Sequence, residues 1–184
     1  DEAAFVQGHY RKSFGTRWEM QGQMKYNYAW NKYRDEKEYY PGGEKVDYYT
    51  QQELYGSASV KYQPVKDVQL VLSQDVFRNT LDASYANFVY PVRFTSLTAL
   101  AGKYSNGRFT VTASLLSTFI TENVERGDAA PNRFRVSPAA SVSYKLSEER
   151  NIRIRASYQD MFRIPTFNDL YYNEMGNKVL NPEI

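Results

Sequence analysis

Between residues 18 and 30 the chain alternates strictly. Trp18, Met20, Gly22, Met24, Tyr26, Tyr28 and Trp30 share one face, while Arg17, Glu19, Gln21, Gln23, Lys25 and Asn27 share the other. A period of two held this long predicts a β-strand with one dry and one wet face. The same period recurs and predicts strands over 3–14, 17–33, 51–63, 68–80, 93–104, 108–121, 133–145 and 151–163. No segment carries a convincing helical period. The fold class expected is all-β, an antiparallel up-and-down meander of about eight strands.

These strands exceed the length of about five or six residues usual in a soluble sheet. From Trp18 to Trp30 the chain spans about 40 Å at roughly 3.3 Å per residue. Tilted by about 40°, that becomes close to 30 Å of height, near the apolar band of a membrane barrel. The connections alternate in length. Short ones fall at "GT" (15–16), "QPVKD" (63–67), "SNG" (105–107) and "SEER" (147–150). Long ones fall at "DEKEYYPGGEKVDYY", "TLDASYANFVYPV", "ENVERGDAAPN" and after Phe162. Every second turn then lies on one side, as in outer-membrane barrels. An aromatic closes the apolar face just before each short turn: Phe14, Tyr62, Tyr104 and Tyr144. Rings with polar tips belong at a lipid–water boundary.

The faces follow from the alternation. Val6, Met24, Leu54, Val60, Leu70, Val111, Leu115, Val142 and Ile154 are expected to meet lipid. Glu19, Gln23, Ser57, Lys61, Thr110, Ser141, Arg153, Arg155 and Gln159 are expected to face the lumen. Two places resist. The faces of 93–104 are nearly equal in polarity, and Pro138 removes a ladder bond inside 133–145, which predicts a bulge.

Composition narrows the chemistry. A net charge of +2, with acids and bases interspersed, gives no case for nucleic acid. The chain has no Cys and a single His, His9, so disulfides, thiolate sites and multi-His metal sites are excluded within it. Seventeen Tyr and ten Phe favour strands. No apolar run reaches the roughly 18 residues of a membrane helix. No dinucleotide fingerprint, P-loop, zinc-protease or nucleophile-elbow motif occurs, so no catalytic residues, metal or cofactor are expected. Glu148 and Glu149 read as solvated turn charges, and His9 as lumen lining. Glu122, Glu125, Asp128 and Asn132 offer loop oxygens but match no cation-loop template. Arg133, Arg135, Lys145, Arg153 and Arg155 form a basic lumen lining. That lining either solvates the lumen or pairs with an acidic plug, or it attracts an anionic ligand.

The segment "IRIRASYQDMFRIPTFNDLYYNEMGNKVLNPE" resembles the late barrel region of TonB-dependent outer-membrane receptors. Phe162, Arg163, Pro165, Thr166, Phe167, Asn168, Asp169, Leu170, Tyr171, Tyr172, Gly176, Asn177, Leu180, Asn181, Pro182 and Glu183 carry the likeness. The family usually has Ala where Ile164 stands, and Lys is commoner than Asn181. The resemblance implies a barrel of about 22 strands filled by an N-terminal plug of roughly 150 residues. It implies location in the Gram-negative outer membrane and TonB-energised uptake of an iron–siderophore complex, haem or cobalamin. Residues 1–184 are then expected to be a partial barrel domain without the plug, ending in the first residues of a ninth strand and lacking the aromatic that closes such barrels. TonB would act through that missing plug. Arg163, Phe167, Asn168, Tyr171 and Tyr172 would line the external vestibule and touch solute. Alternatively they brace the loop, with Phe167 and Leu170 folded inward and Pro165 ending the eighth strand.

Two rivals remain at this point. One is a complete eight-stranded barrel serving as anchor or adhesin, and the other is a soluble lipocalin-like carrier. A carrier would turn Met24, Leu70 and Val142 into a closed cavity. A piece of a larger barrel would have open edges and self-associate through them or through its apolar band.

Overall fold

The computed structural model describes residues 1–36, 43–84, 87–147, 151–171 and 180. Eight strands follow in chain order: β1 (Glu2–Phe14), β2 (Trp18–Glu36), β3 (Glu44–Val65), β4 (Val68–Ala83), β5 (Val92–Ser105), β6 (Phe109–Asn123), β7 (Arg133–Ser147) and β8 (Ile152–Gln159). One short helix, α1 (Phe167–Tyr171), comes after them. The strands form one sheet in the order β1 to β8. Each is antiparallel to the next. Among the described residues β1 and β8 are edges, so the wall is open and these eight strands do not close on themselves. Tight turns make the inner ends. Gly15 and Gly107 take positive φ values of 61° and 86° there, where a side chain would be strained. The Asn106 side-chain oxygen accepts the Phe109 N–H at 2.9 Å and fixes one hairpin. Of the turn at 147–150, residues 148–150 lie outside the described residues.

The register puts the expected faces where the alternation placed them. Met24, Leu70 and Val142 are 66%, 42% and 41% exposed on the outward face. A closed apolar cavity would bury all three, so the carrier reading fails. The opposite face carries cross-strand polar pairs. Asn27 and Asn79 each donate to Glu53, at 2.7 and 2.8 Å. Lys61 reaches Glu19 at 3.2 Å, and Thr112 meets Ser141 at 2.7 Å. Thr95, Thr118, Ser137 and Ser143 are buried on that face, which marks it as the crowded inner one.

Aromatics of the inner girdle meet in pairs across neighbouring strands. Trp18 stacks on Tyr62 with centroids 4.1 Å apart, and Phe109 lies 5.6 Å from Tyr144. Its course gives the strand tilt. Tyr62 is level with Leu70 and Gly102, so Tyr104 stands two residues further down β5. Tyr104 is level with Val111 and Val142, so Tyr144 again stands two residues further down. A girdle lying in the membrane plane therefore descends one residue per strand. With a rise of about 3.3 Å and a strand spacing of about 4.8 Å, the tilt is about 35°. Phe94, Phe119 and Phe134 form the outer girdle. Phe94 lies ten residues above Tyr104 on β5, about 27 Å at that tilt. A barrel's apolar band is about 25 Å tall.

Three sequence expectations change. The loop expected over 35–49 is partly strand, because β3 begins at Glu44. Arg34 meets Glu44 across the hairpin at 2.6 Å, and Lys45 meets Asp47, two residues along β3, at 3.4 Å. Pro138 makes no bulge; it pairs in register with Leu115. Its backbone points towards β8, since Asp160 N–H donates to the Pro138 carbonyl at 3.0 Å. The missing N–H of Pro138 cannot return that bond, and the β7–β8 ladder stops at Ala139 and Gln159. Pro138 on the neighbouring strand, and not Pro165, ends β8.

Charge placed on the two faces will separate them. Leu100→Arg is expected to cost about 2–4 kcal/mol, whereas Ser57→Lys on the inner face costs less than about 1 kcal/mol. Urea unfolding of the full receptor in lipid vesicles measures both, and equal losses would contradict the face assignment.

Candidate functional site

The chain after β8 turns back over the inner face at the outer mouth. Its helix is started by a reciprocal cap. The Thr166 N–H and hydroxyl donate to the Asp169 carboxylate at 2.7 and 2.9 Å, and Asp169 N–H returns a bond to the Thr166 hydroxyl at 3.3 Å. The bonds from the Thr166 backbone and then its hydroxyl hold the Asp169 carboxyl below its ordinary range. The cap's contribution is thus present in full above the usual carboxylate range and is lost as pH falls below that range, through the lowered value. One turn of helix then presents Phe167, Leu170 and Tyr171 together. All three are buried with Ala130 of the β6–β7 loop, against Leu81, Val89 and Val124.

A buried carboxylate anchors this cluster. Glu122, near the end of β6, has a side chain 0% exposed. It is the direct register partner of Arg93 on β5. Arg93 Nε donates to Glu122 Oε1 at 2.9 Å. Its Nη2 lies 2.6 Å from the same oxygen and supplies charge without a well-directed bond. Arg133 Nη1 stands 3.8 Å from that oxygen, and its Nη2 donates to the Leu180 carbonyl at 2.7 Å. The other oxygen, Oε2, accepts the Tyr171 hydroxyl at 2.7 Å. Tyr171 in turn accepts the Ala130 N–H at 3.1 Å. The Arg93 guanidinium also lies 4.8 Å from the centre of the Phe167 ring, a cation–π contact. One carboxylate therefore ties β5, β6, β7 and α1 together. Burial, with help from the Glu122 carboxylate, pushes the Tyr171 phenol up to about 12.

A cavity of about 370 Å³ opens beside the helix, lined by Gln51, Asn79, Leu81, Arg93, Thr166 and Phe167. A second of about 380 Å³ adjoins it through Gln51 and Leu81 and adds Asn31, Tyr33 and Tyr49. Amides, phenols and one aromatic face thus converge at the mouth, the chemistry of a recognition surface. Of the residues expected to line the vestibule, Phe167 borders the first cavity. Tyr171 is buried in the anchor. Arg163 is exposed. Asn168 lies in α1, but its side chain and Tyr172 lie outside the described residues.

The basic lining divides. Arg133 joins the Glu122 cluster, and Arg135 pairs with Asp160 at 2.8 Å while stacking 5.0 Å from Phe162. Lys145, Arg153 and Arg155 lie nearer the inner end on the same face, with Lys145 level with Arg153 and Ser143 level with Arg155. Arg153 and Arg155 are exposed. Glu122 is the residue that the sequence reading misplaced. Expected among the loop oxygens, it is instead on β6, buried and ion-paired. Its face was legible in the alternation, because Glu122 continues the inner-face positions of β6 after Thr118 and Ile120. Glu148 and Glu149 lie outside the described residues.

The whole chain, residues 1–184, matches the family model described as "TonB dependent receptor-like, beta-barrel". No curated protein matches it at a significant level. The chain belongs to the TonB-dependent receptor β-barrel family, a transporter family of the Gram-negative outer membrane.

Removing the anchor has a defined cost. Glu122→Leu leaves Arg93 and Arg133 facing each other without a counter-ion and is expected to cost about 3 kcal/mol or more. In limited proteolysis of the folded receptor, cleavage within 160–171 will rise. The Tyr171 phenol titrates higher in the folded protein than its ordinary value of 10.0. Its contribution is therefore present in full below pH 10 and is lost as pH rises towards 12. Ultraviolet titration of wild type against Tyr171→Phe will show the loss of one phenol titrating near 12, and loss of one near 10 would contradict its burial.

Proposed function

We propose that this chain is part of the wall of a receptor that captures a large, scarce solute at the cell surface and passes it inward, with energy delivered through TonB. The solute classes proposed are iron–siderophore complexes, haem and cobalamin. Coupling to TonB runs through a plug domain of the parent protein seated against the polar face. Transport of this kind is gated binding and release, so no side chain here is assigned a bond-making role.

The observation that carries the reading is the inverted polarity of the wall. Its outward face is an apolar belt between two aromatic girdles, and its inward face is hydrogen-bonded and charged. A receptor in this setting must offer solute a surface at the outer mouth. The strip formed by Gln51, Asn79, Thr166 and Phe167 supplies one. Amide groups suit polar substituents, and the Phe167 ring suits a flat apolar face. The Glu122 anchor holds α1 in place, so the strip is organised before solute arrives and less ordering is needed on binding. Further in, Arg153 and Arg155 with Lys145 give a positive field that draws anionic groups along the lumen.

Growth of a strain lacking the full-length receptor tests the reading. Restored receptor is expected to support growth at limiting concentrations of one solute among iron–siderophore complexes, haem and cobalamin, and only when TonB is functional. Gln51→Ala with Asn79→Ala should raise the half-saturating concentration about tenfold at unchanged surface level, the worth of one or two hydrogen bonds. Growth on none of the three, or growth without TonB, would refute it.

A further inference from the structure

The outward belt carries polar side chains at defined depths. Gln74 on β4, Thr98 on β5 and Ser117 on β6 stand in one register row, and Ser96 lies two residues up β5 from Thr98. The Gln74 amide donates to Ser96 Oγ at 2.9 Å, and the Thr98 hydroxyl donates to Gln74 Oε1. Measured up the tilted strands from the inner girdle, this neutral group spans about 13–22 Å, inside a band about 25 Å tall. Higher on the same face stands a charge. The girdle passes one residue below Leu70 on β4, and Arg78 is nine residues above that point, about 24 Å at the same tilt. Arg78 shares a register row with Leu54 on β3, Phe94 on β5 and Thr121 on β6. Leu54 and Phe94 are exposed on the outward face, and so is Arg78. Among the described residues of β2 to β7, it is the one charged side chain on that face from the inner girdle up to the level of Phe94.

The wall gives this charge no counter-ion. No carboxylate among the described residues pairs with Arg78. Asp82, the next carboxylate up the outward face of β4, is four residues away, about 13 Å along the strand. Glu53 on β3 is turned inward and holds Asn27 and Asn79. The guanidinium is nevertheless well placed. Its flexible stem lets it reach upward out of the hydrocarbon, and a cation near the edge of the apolar band is tolerated where one at the centre is not. Outside the wall, that edge is the layer of lipid headgroups. A guanidinium takes a phosphate through two parallel N–H···O bonds. Thr80, next up the same face of β4, and Thr121 place hydroxyls at the same rim.

We propose that Arg78 is the centre of a binding site for a phosphate-bearing lipid of the outer leaflet. Depth and charge select the occupant. The chain belongs to an outer-membrane family, so lipid covers this face. The short turns mark the inner end of the wall, so the Arg78 level is that of the outer leaflet. A solute bound for the lumen meets the opposite face. A lipid without phosphate offers the guanidinium no counter-charge. Phe94, level with Arg78, gives the upper part of an acyl chain a ring to pack on. Below it the Gln74 group is neutral and bonded within the sheet, so positive charge is presented at one depth only. The proposal rests on the membrane placement of the wall and is independent of which solute is carried.

Native mass spectrometry of the full-length receptor tests it. The purified receptor is titrated with the phosphorylated glycolipid of the outer leaflet, and with the same lipid after its phosphates have been removed. Arg78→Gln is expected to weaken binding of the phosphorylated lipid about fivefold, the worth of one basic side chain near an anionic surface. Binding of the dephosphorylated lipid should be weak and equal in wild type and variant. Lys12→Gln, at the inner end of the same face where Lys12 lies over the Phe14 ring, should leave binding of the phosphorylated lipid unchanged. Gel mobility before and after heating reports whether each variant is a folded barrel, which keeps loss of the site distinct from loss of the barrel. Three results would each overturn the proposal: equal affinity of folded Arg78→Gln and wild type for the phosphorylated lipid, equal affinity of wild type for the two lipids, or a loss from Lys12→Gln as large as that from Arg78→Gln.

Discussion

In the hydrocarbon of a bilayer a backbone N–H or C=O has no water to turn to. Each must be met by a neighbouring strand, and the rest of this wall depends on that requirement. It demands unbroken ladders, which is why β2 and β3 pair residue by residue from Trp18–Tyr62 to Glu36–Glu44. Strands adjacent in the chain meet it as antiparallel pairs, joined by tight turns at one end. It leaves β1 and β8 each with a bare edge in the described sheet, which neighbouring strands of a barrel would cover. It also makes Pro138 decisive: one absent donor ends a neighbouring strand and frees the chain to cross the mouth.

The same requirement explains what was legible in the sequence. Once the ladder must be continuous, side chains alternate without interruption, and a period of two reveals both faces. The eight strands, the outward Met24 and Leu70, and the girdle of Phe14, Tyr62, Tyr104 and Tyr144 all follow from local pattern. Register does not. Glu122 acquires its meaning from Arg93, 29 positions earlier, and no local period reports that pairing. The near-equal faces of β5 puzzled for the same reason. Ser96 and Thr98 make that strand's outer face polar, and only the register with Gln74 shows that the polarity is organised. The helix was readable in principle. Thr166 and Asp169 have capping spacing, but a single turn is too short to show a period.

Local cost and global order are balanced at the mouth. A carboxylate 0% exposed between two guanidinium groups is weak support for stability on its own, because desolvation offsets much of the attraction. Its value lies in direction. Glu122 has one oxygen for Arg93 and the other for Tyr171, so the bond to the wall and the bond to the loop are made by the same group. An apolar substitute could fill the space, but it could not fix which turn of the loop faces inward.

The polar cluster at the mouth and the polar group on the outward face obey one rule in different surroundings. At the mouth, water and counter-charges are near, and full charges are used: Glu122, Arg93 and Arg133. Towards lipid there is neither, and the polar group on the outward face of β4 to β6 is neutral: Gln74, Ser96, Thr98 and Ser117. An ion there would cost several kcal/mol more than an amide. The difference extends to what each cluster can do. Charges locked together by burial hold one loop in one place. Neutral groups bonded to one another within the sheet, Thr98 to Gln74 and Gln74 to Ser96, face lipid at lower cost than ions would. The outward polar group therefore closes its bonds within the sheet, and the anchor closes its charges within the mouth.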